Sequence, residues 1–339
     1  MNKVAVVILN WNGADMLRQF LPTVLDCTQG EGIAVMVADN ASTDASREVL
    51  AAEFPQVRVI PLEENYGFAE GYNRALAQVE ARYVVLLNSD VQVTPGWLEP
   101  LTTYMDAHPE VAACQPKLLS YREKTRFEYA GAAGGFLDRY GYPYCRGRIM
   151  NTVEDDHGQY DTICPVLWAS GAALFIRLED YRNAGGLDSG FFAHMEEIDL
   201  CWRLRTRGRA LVCVPQSVVY HVGAATLKVS PHKTFLNFRN NLLMLYKNLP
   251  QDELHSTMMV RCVLDYVAAL KFLLTGEWGN FTAVLKARWA YRKLKSHYAS
   301  VRQENLQKRV LNRVPERTRH FLILDYYLKG FRTFSESPQ

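Results

Sequence analysis

Four short apolar runs, at 4–9, 33–38, 57–60 and 83–87, constrain this chain most. Each is continuous, rich in β-branched residues and of strand length, and each ends in polar or Gly-containing turn residues. Helical spacing lies between them, near 44–53, 67–79 and 97–107. Strands that are apolar on both faces and alternate with helices build βαβ units, so an α/β fold around a mainly parallel sheet flanked by helices is expected. Gly and Pro become frequent between 131 and 143, where loop and hairpin are expected, and strand-like runs return at 172–176 and 211–214. After Lys228 the strands stop. Helical spacing with interleaved Lys and Arg then runs through 235–249, 258–274 and 281–297, predicting a helical carboxy-terminal extension.

The formal net charge of +2 excludes an overall basic coat for nucleic acid and an acidic disordered tail. It also conceals a division. Residues 1–227 hold 19 Lys and Arg against 28 Asp and Glu, a balance of −9, and residues 228–339 hold 19 against 8, a balance of +11. An acidic unit over 1–227 is therefore expected to precede a basic extension over 228–339. The 4–9 run is too short for a secretory core, and the uncharged stretch 162–176 is too short to span a bilayer. Seven Cys without a CxxC read as reduced thiols in a cytoplasmic protein.

Polar clusters fall at three strand ends: Asn10-Trp11-Asn12-Gly13, Asp39-Asn40-Ala41-Ser42-Thr43-Asp44 and Asn88-Ser89-Asp90. Ligands of an open parallel sheet bind beyond the carboxyl ends of its strands, so the three turns would line one crevice. Ordinary turn and cap roles are the simpler reading of Ser42 and Asp44. No GxGxxG follows the first strand and no GxxxxGK[ST] occurs, which argues against dinucleotide-dependent dehydrogenases and P-loop NTPases. Further on, 196–208 reads as a helix ended by Gly208. At 100° per residue Glu197 shares an arc with Leu200, Cys201 and Leu204, whereas Glu196, Asp199, Arg203 and Arg207 form a charged arc with a surface explanation. Glu197 thus points toward core or crevice, where lost solvation raises a carboxyl pKa toward the range of a general base.

These turns, together with Asn65-Tyr66-Gly67-Phe68-Ala69, Gly71-Tyr72-Asn73 and 191–200 (Phe-Phe-Ala-His-Met-Glu-Glu-Ile-Asp-Leu), resemble in order the inverting family-2 glycosyltransferases of the GT-A fold. The likeness runs over about residues 3–250 and is nearest the rhamnosyltransferase-like members that build bacterial surface polysaccharides. It implies transfer of one sugar from a nucleotide diphosphate sugar, with dTDP-rhamnose the first expectation, to a glycan or lipid-linked acceptor. Asp39 would bind the nucleoside and Trp11 pack on the base, with Leu9 and Asn10 in the same turn. Asn65, Gly67 and Asn73 would shape the donor pocket, and Gly171 in Trp168-Ala169-Ser170-Gly171 would lie beside the sugar. The family's DxD motif appears as Asn88-Ser89-Asp90, which leaves Asp90 as the anionic ligand of a Mg²⁺ or Mn²⁺ ion. His221 matches the second metal ligand. The acidic pair Glu196-Glu197 would supply the base through Glu197. No QxxRW follows, so a processive synthase is not implied.

The extension carries Trp278, Phe281, Trp289, Tyr291 and Tyr298 among Lys286, Arg288, Arg292, Lys293 and Lys295. Basic-aromatic helices suit a peripheral contact with the cytoplasmic membrane. A solvated helix or an oligomer interface is the alternative for the same residues. A catalytically silent nucleotide-sugar binder, or a scaffold of a glycan assembly complex, is the alternative for the whole chain, motivated by Asn88.

Overall fold

The computed structural model describes residues 2–223 and 230–336. The boundary expected at 227/228 lies outside the described residues. Strands β1 (Asn2–Asn10), β2 (Ile33–Asp39), β3 (Arg58–Pro61), β4 (Ala81–Asn88), β5 (Val91–Val93) and β6 (Val111–Ser120) alternate with helices α1 (Ala14–Cys27), α2 (Ser46–Glu53), α3 (Gly67–Ala77) and α4 (Leu98–Ala107). A small sheet follows, made of β7 (Gly135–Leu137), β8 (Pro143–Cys145), β9 (Arg148–Ile149) and β10 (Thr152–Val153). The chain then returns to the main sheet through β11 (Cys164–Pro165), β12 (Ala173–Arg177) and, after helices α5 (Leu178–Asn183) and α6 (Glu196–Thr206), β13 (Ala210–His221).

The main sheet runs β11-β13-β6-β12-β4-β1-β2-β3, with β5 also on β13. Its longest pairings, β1 with β2 and β4 and β13 with β6, are parallel, while β12 is antiparallel to both β4 and β6. The sheet is therefore mixed but mostly parallel. Alternate residues of β1 enter two separate cores: Ala5 and Val7 with Val84 and Leu86 on one face, Val4, Val6 and Ile8 with Val85 and Leu87 on the other. Helices cover both faces, which is why these strands read as unbroken apolar runs.

Helix α7 (Pro231–Asn248) starts with the Ser230 hydroxyl accepting from the Lys233 amide at 3.2 Å and with Pro231 in its first turn. It is followed by α8 (Gln251–Leu274), α9 (Trp278–Leu294), α10 (Ala299–Gln307) and α11 (Leu322–Tyr327). These helices are joined to the sheet-bearing part: Leu242, Leu243 and Leu245 share a core with Leu200 and Leu204 of α6. Arg205 forms a two-pronged pair with Glu316, at 3.0 Å for each prong.

Candidate active site

The register of the sheet brings the three polar turns together. Asn10 stands beside Asp39 across β1–β2, and Leu9 beside Asn88 across β1–β4. Ser42 and Asp44 serve the turns themselves: the Ser42 hydroxyl accepts from the Asn10 side chain at 3.1 Å and the Asn12 amide at 3.0 Å, and the Asp44 carboxylate accepts from the Ala14 amide at 3.0 Å. Asp39 is fully buried. One of its oxygens pairs with Arg47 at 2.6 Å, and the other, Oδ1, has no partner. A buried carboxylate oxygen without a donor is a costly feature unless a ligand supplies the donor. Trp11 is 55% exposed beside it, so its ring is free to stack.

Asn40 stitches this turn to the next one. Its amide nitrogen donates to Asn65 Oδ1 at 3.1 Å and to the Gly67 carbonyl at 3.0 Å, and its oxygen accepts from the Tyr66 amide at 3.0 Å. Gly67 has φ +72°, and a Cβ there would sit 2.5 Å from the Phe192 ring, so only glycine fits. Leu9 leans on Gly71 of α3, where a Cβ would come within 3.0 Å of it. Asn73 lies away from the pocket expected for it. Its amide donates to the Leu187 carbonyl at 2.8 Å and to Ser189 at 3.3 Å, and its oxygen accepts from Tyr181 at 2.6 Å and the Leu187 amide at 3.0 Å. All four bonds of the amide are used, so Asn73 fixes the 187–189 loop and has none left for a sugar.

At the end of β4, Asp90 Oδ1 lies 3.1 Å from His221 Nε2 at the end of β13, and the Asn88 amide nitrogen lies 3.4 Å from the same ring atom. Two ligands at right angles on a small divalent ion, each at about 2.1 Å, sit about 3.0 Å apart, so the Asp90–His221 spacing fits a shared cation. Glu128, unremarked in the sequence, backs the ring with Oε1 3.4 Å from Nδ1. A Cβ on Gly223 would be 2.7 Å from that oxygen, which keeps the approach open. Burial pulls the imidazole pKa down, but Asp90 and Glu128 outweigh it and hold His221 up at about 10. Among the described residues no group of three or more His, Cys, Asp and Glu side chains is arranged to hold a metal ion. Any cation at Asp90 and His221 therefore needs further ligands from a diphosphate or water.

The acidic pair opens α6. Its approach is strained: Phe192, His194 and Met195 all have positive φ, between 66° and 73°. Asn240 of α7, fully buried, holds that bend by donating to the carbonyls of Phe191, Ala193 and His194 at 2.8–2.9 Å. The Glu197 carboxylate accepts from its own amide and that of Ile198, and its Oε2 is buried without a partner. Burial raises the Glu197 carboxyl to about 7 against the pull of those amides. Glu196 is more deeply buried, and its carboxyl is raised well above the ordinary range by burial and by its neighbour Glu197.

The charged arc of α6 is internal, contrary to the surface role expected of it. Glu196, Asp199 and Arg203 are all buried. Asp199 accepts from Lys247 at 2.7 Å, Asn248 at 2.7 Å and Arg203 at 2.9 Å. Partners on α7 thus replace the water the wheel assumed. Asp199→Ala leaves the buried Arg203 without a carboxylate and Lys247 with Asp188 alone, and is expected to cost about 3–5 kcal/mol in urea denaturation.

A cavity of about 540 Å³ unites Asn88, Asp90, Glu128, Gly171, Glu197, His221 and Lys233. Gly171 faces Glu197: a Cβ on it would lie 3.4 Å from the Phe68 ring and 3.8 Å from the Glu197 Cβ. Asp39, Trp11 and Asn65 are not among its lining residues. Lys233, on the first turn of α7, was not singled out by the sequence, because nothing there tells it from the other lysines of the extension.

Residues 5–163 match the family described as Glycosyl transferase family 2. The chain carries a family 2 glycosyltransferase domain. This transferase is 28% identical over 234 residues to the N-acetylglucosaminyl-diphospho-decaprenol L-rhamnosyltransferase of Mycobacterium tuberculosis, covering 64% of this chain and 75% of that one. It is similar in fold to GalNAc-T7, solved with UDP, GalNAc and Mn²⁺ (TM-score 0.57, 15% identity, 73% of this chain and 48% of that one). It is also similar to S. aureus TarS 1–349 in complex with UDP-GlcNAc (TM-score 0.54, 15% identity, 90% and 89%). The fold is accordingly GT-A.

Proposed function

We propose that this transferase moves one sugar, with inversion, from a nucleotide diphosphate sugar to a hydroxyl of a glycan or lipid-linked saccharide. The observation that carries the reading is one cavity shared by a carboxyl raised to about 7, Glu197, and a cation-compatible pair, Asp90 and His221. Asp39 Oδ1 accepts from the base or ribose, Trp11 stacks on the base, and Asn10 and Asn65 frame the nucleoside. Asn88 and Ser89 flank the diphosphate beside Asp90. A Mg²⁺ or Mn²⁺ ion held by Asp90 and His221 would supply a Lewis acid for the diphosphate. Lys233 adds a positive charge near the leaving group. Glu197 takes the proton of the acceptor hydroxyl as the new bond forms at the anomeric carbon and the bond to the diphosphate breaks, the electron pair leaving with the nucleotide. Glu196 holds the pair's shared charge low. dTDP-rhamnose is the first donor to test, on the likeness to the mycobacterial rhamnosyltransferase. The acceptor is met at the cytoplasmic face of the membrane, and the donor half (about 1–115), the acceptor half (about 116–227) and the extension act as one unit.

Asn88 supports a second reading, a silent nucleotide-sugar binder, because an amide replaces a carboxylate at the cation. Thermal shift over a panel of nucleotide sugars with Mn²⁺ or Mg²⁺, followed by an assay for released nucleoside diphosphate, separates the two. A matching donor at about one hundred times its Kd should stabilise the protein by about 2.7 kcal/mol. Binding without release would favour the silent reading, and no binding of any donor would defeat both.

A further inference from the structure

Helix α8 is built inside out. At 100° per residue, Met259, Val263, Tyr266, Val267, Leu270 and Leu274 fall within an arc of about 100°. These six side chains are 43–78% exposed. The opposite arc carries Thr257, Arg261, Asp265 and Ala269, and it is this polar arc that is buried. Asp265 accepts there from Arg261 at 3.2 Å and from Arg288 of α9 at 2.5 Å. Arg261 and Asp265 therefore point inward, and the outward face is apolar from Met259 to Leu274, after a first part of the helix that places exposed Asp252 and Ser256 on the same arc. Lys271 stands at the edge of that face, placed for its ammonium to reach past the apolar rim.

Helix α9 packs against α8 and carries an exposed apolar strip of its own. Trp278, Leu285 and Trp289 are exposed along one strip. Lys286 and Lys293 flank the strip on one side and Arg292 on the other, all three exposed. The Lys293 ammonium sits 3.5 Å from the centre of the Trp289 ring. Arg288, Tyr291 and Tyr298, expected on this basic-aromatic face, are buried. What remains outside is narrower and more sharply sorted than the sequence suggests: an apolar stripe rimmed by cations, with no exposed carboxylate on it between Met259 and Leu274. No helix among the described residues is long and apolar enough to cross a membrane.

We infer that the outer face of α8 and α9 docks on an anionic phospholipid bilayer, with the stripe in the headgroup boundary and Lys271, Lys286, Arg292 and Lys293 on the phosphates. An apolar face with a low-charge centre and cationic edges fits an anionic interface; a second copy would bring cations against cations. The contact deepens the membrane-side reading of the acceptor and is tested without donor, so its failure leaves the transferase assay untouched.

The full chain is sedimented with vesicles of phosphatidylcholine, with and without phosphatidylglycerol. It should pellet with the anionic vesicles and weaken about fivefold for each cation neutralised at Lys286 and Lys293. Val263→Glu with Leu270→Glu should reduce binding to background at an unchanged melting temperature. Val263→Ser with Leu270→Ser, which adds no charge, should weaken it partially, and Trp emission should shift to the blue on vesicles only in the chains that bind. A wild-type chain left in the supernatant would overturn the inference. So would vesicle binding that survives the glutamates, or self-association that the same glutamates abolish while vesicle binding stays.

Discussion

Glu197→Gln is expected to lower kcat by about 10²–10⁴-fold while leaving donor binding intact. The amide keeps the shape of the carboxyl and its place at the start of α6 but cannot accept the acceptor's proton. In the parent enzyme the rate should rise with pH through about 7 and then level, because only the carboxylate is a base and burial holds its carboxyl near that value. In Glu197→Gln that limb should disappear. Glu196→Gln should act differently. Its carboxyl, pushed up by burial and by Glu197, favours the protonated form, so the folded state loses stability as pH rises from the ordinary carboxylate range toward the raised value. Removing that charge should raise the melting temperature, and more so at higher pH, with a smaller loss of rate. Equal loss in both variants, with the pH limb retained, would remove Glu197 from the role of base.

The sheet and the placement of the site were legible for one physical reason: β1, β2 and β4 are buried on both faces, so their sequences are unbroken apolar runs and the polar residues mark their ends. β6 escaped notice because Gln115 and Lys117 lie in it, and both are satisfied inside: Gln115 accepts from the Ser170 amide at 2.9 Å and Lys117 meets Asp156 at 2.7 Å. α1 was likewise not anticipated, although Leu17, Leu21 and Val24 give it a buried face around Pro22. On α6 the wheel placed Glu197 at the cavity yet misjudged Asp199, whose partners Lys247 and Asn248 on α7 lie more than forty residues away, and Arg203, which is held by Asp199 and the carbonyls of Ala184 and Gly186. On α8, too, the arc that carries ion-paired charges, Arg261 and Asp265, is the buried one. A wheel sorts residues by angle; which arc faces water depends on the neighbour that packs against it.

Asn88 lets the cation site be tested in both directions. Asp90→Ala removes the one carboxylate of the strand-end triplet, and removal of divalent ions by a chelator removes what that carboxylate would hold. Each is expected to lower turnover by about 10²–10³-fold, equivalent to about 3–4 kcal/mol of charge stabilisation at the leaving diphosphate. Asn88→Asp works the other way. Its side chain already stands 3.4 Å from His221 Nε2, so a carboxylate there would join Asp90 beside the same ring. The Mn²⁺ concentration for half-maximal turnover should fall in Asn88→Asp and rise in His221→Ala, measured at saturating donor. The two shifts must have opposite signs if Asp90 and His221 hold the cation and the donor diphosphate makes up the missing ligands. Turnover indifferent to chelator, with Asp90→Ala still impaired, would instead mean that the Asp90–His221 pair orders the end of β13 and that Lys233 alone meets the leaving group's charge.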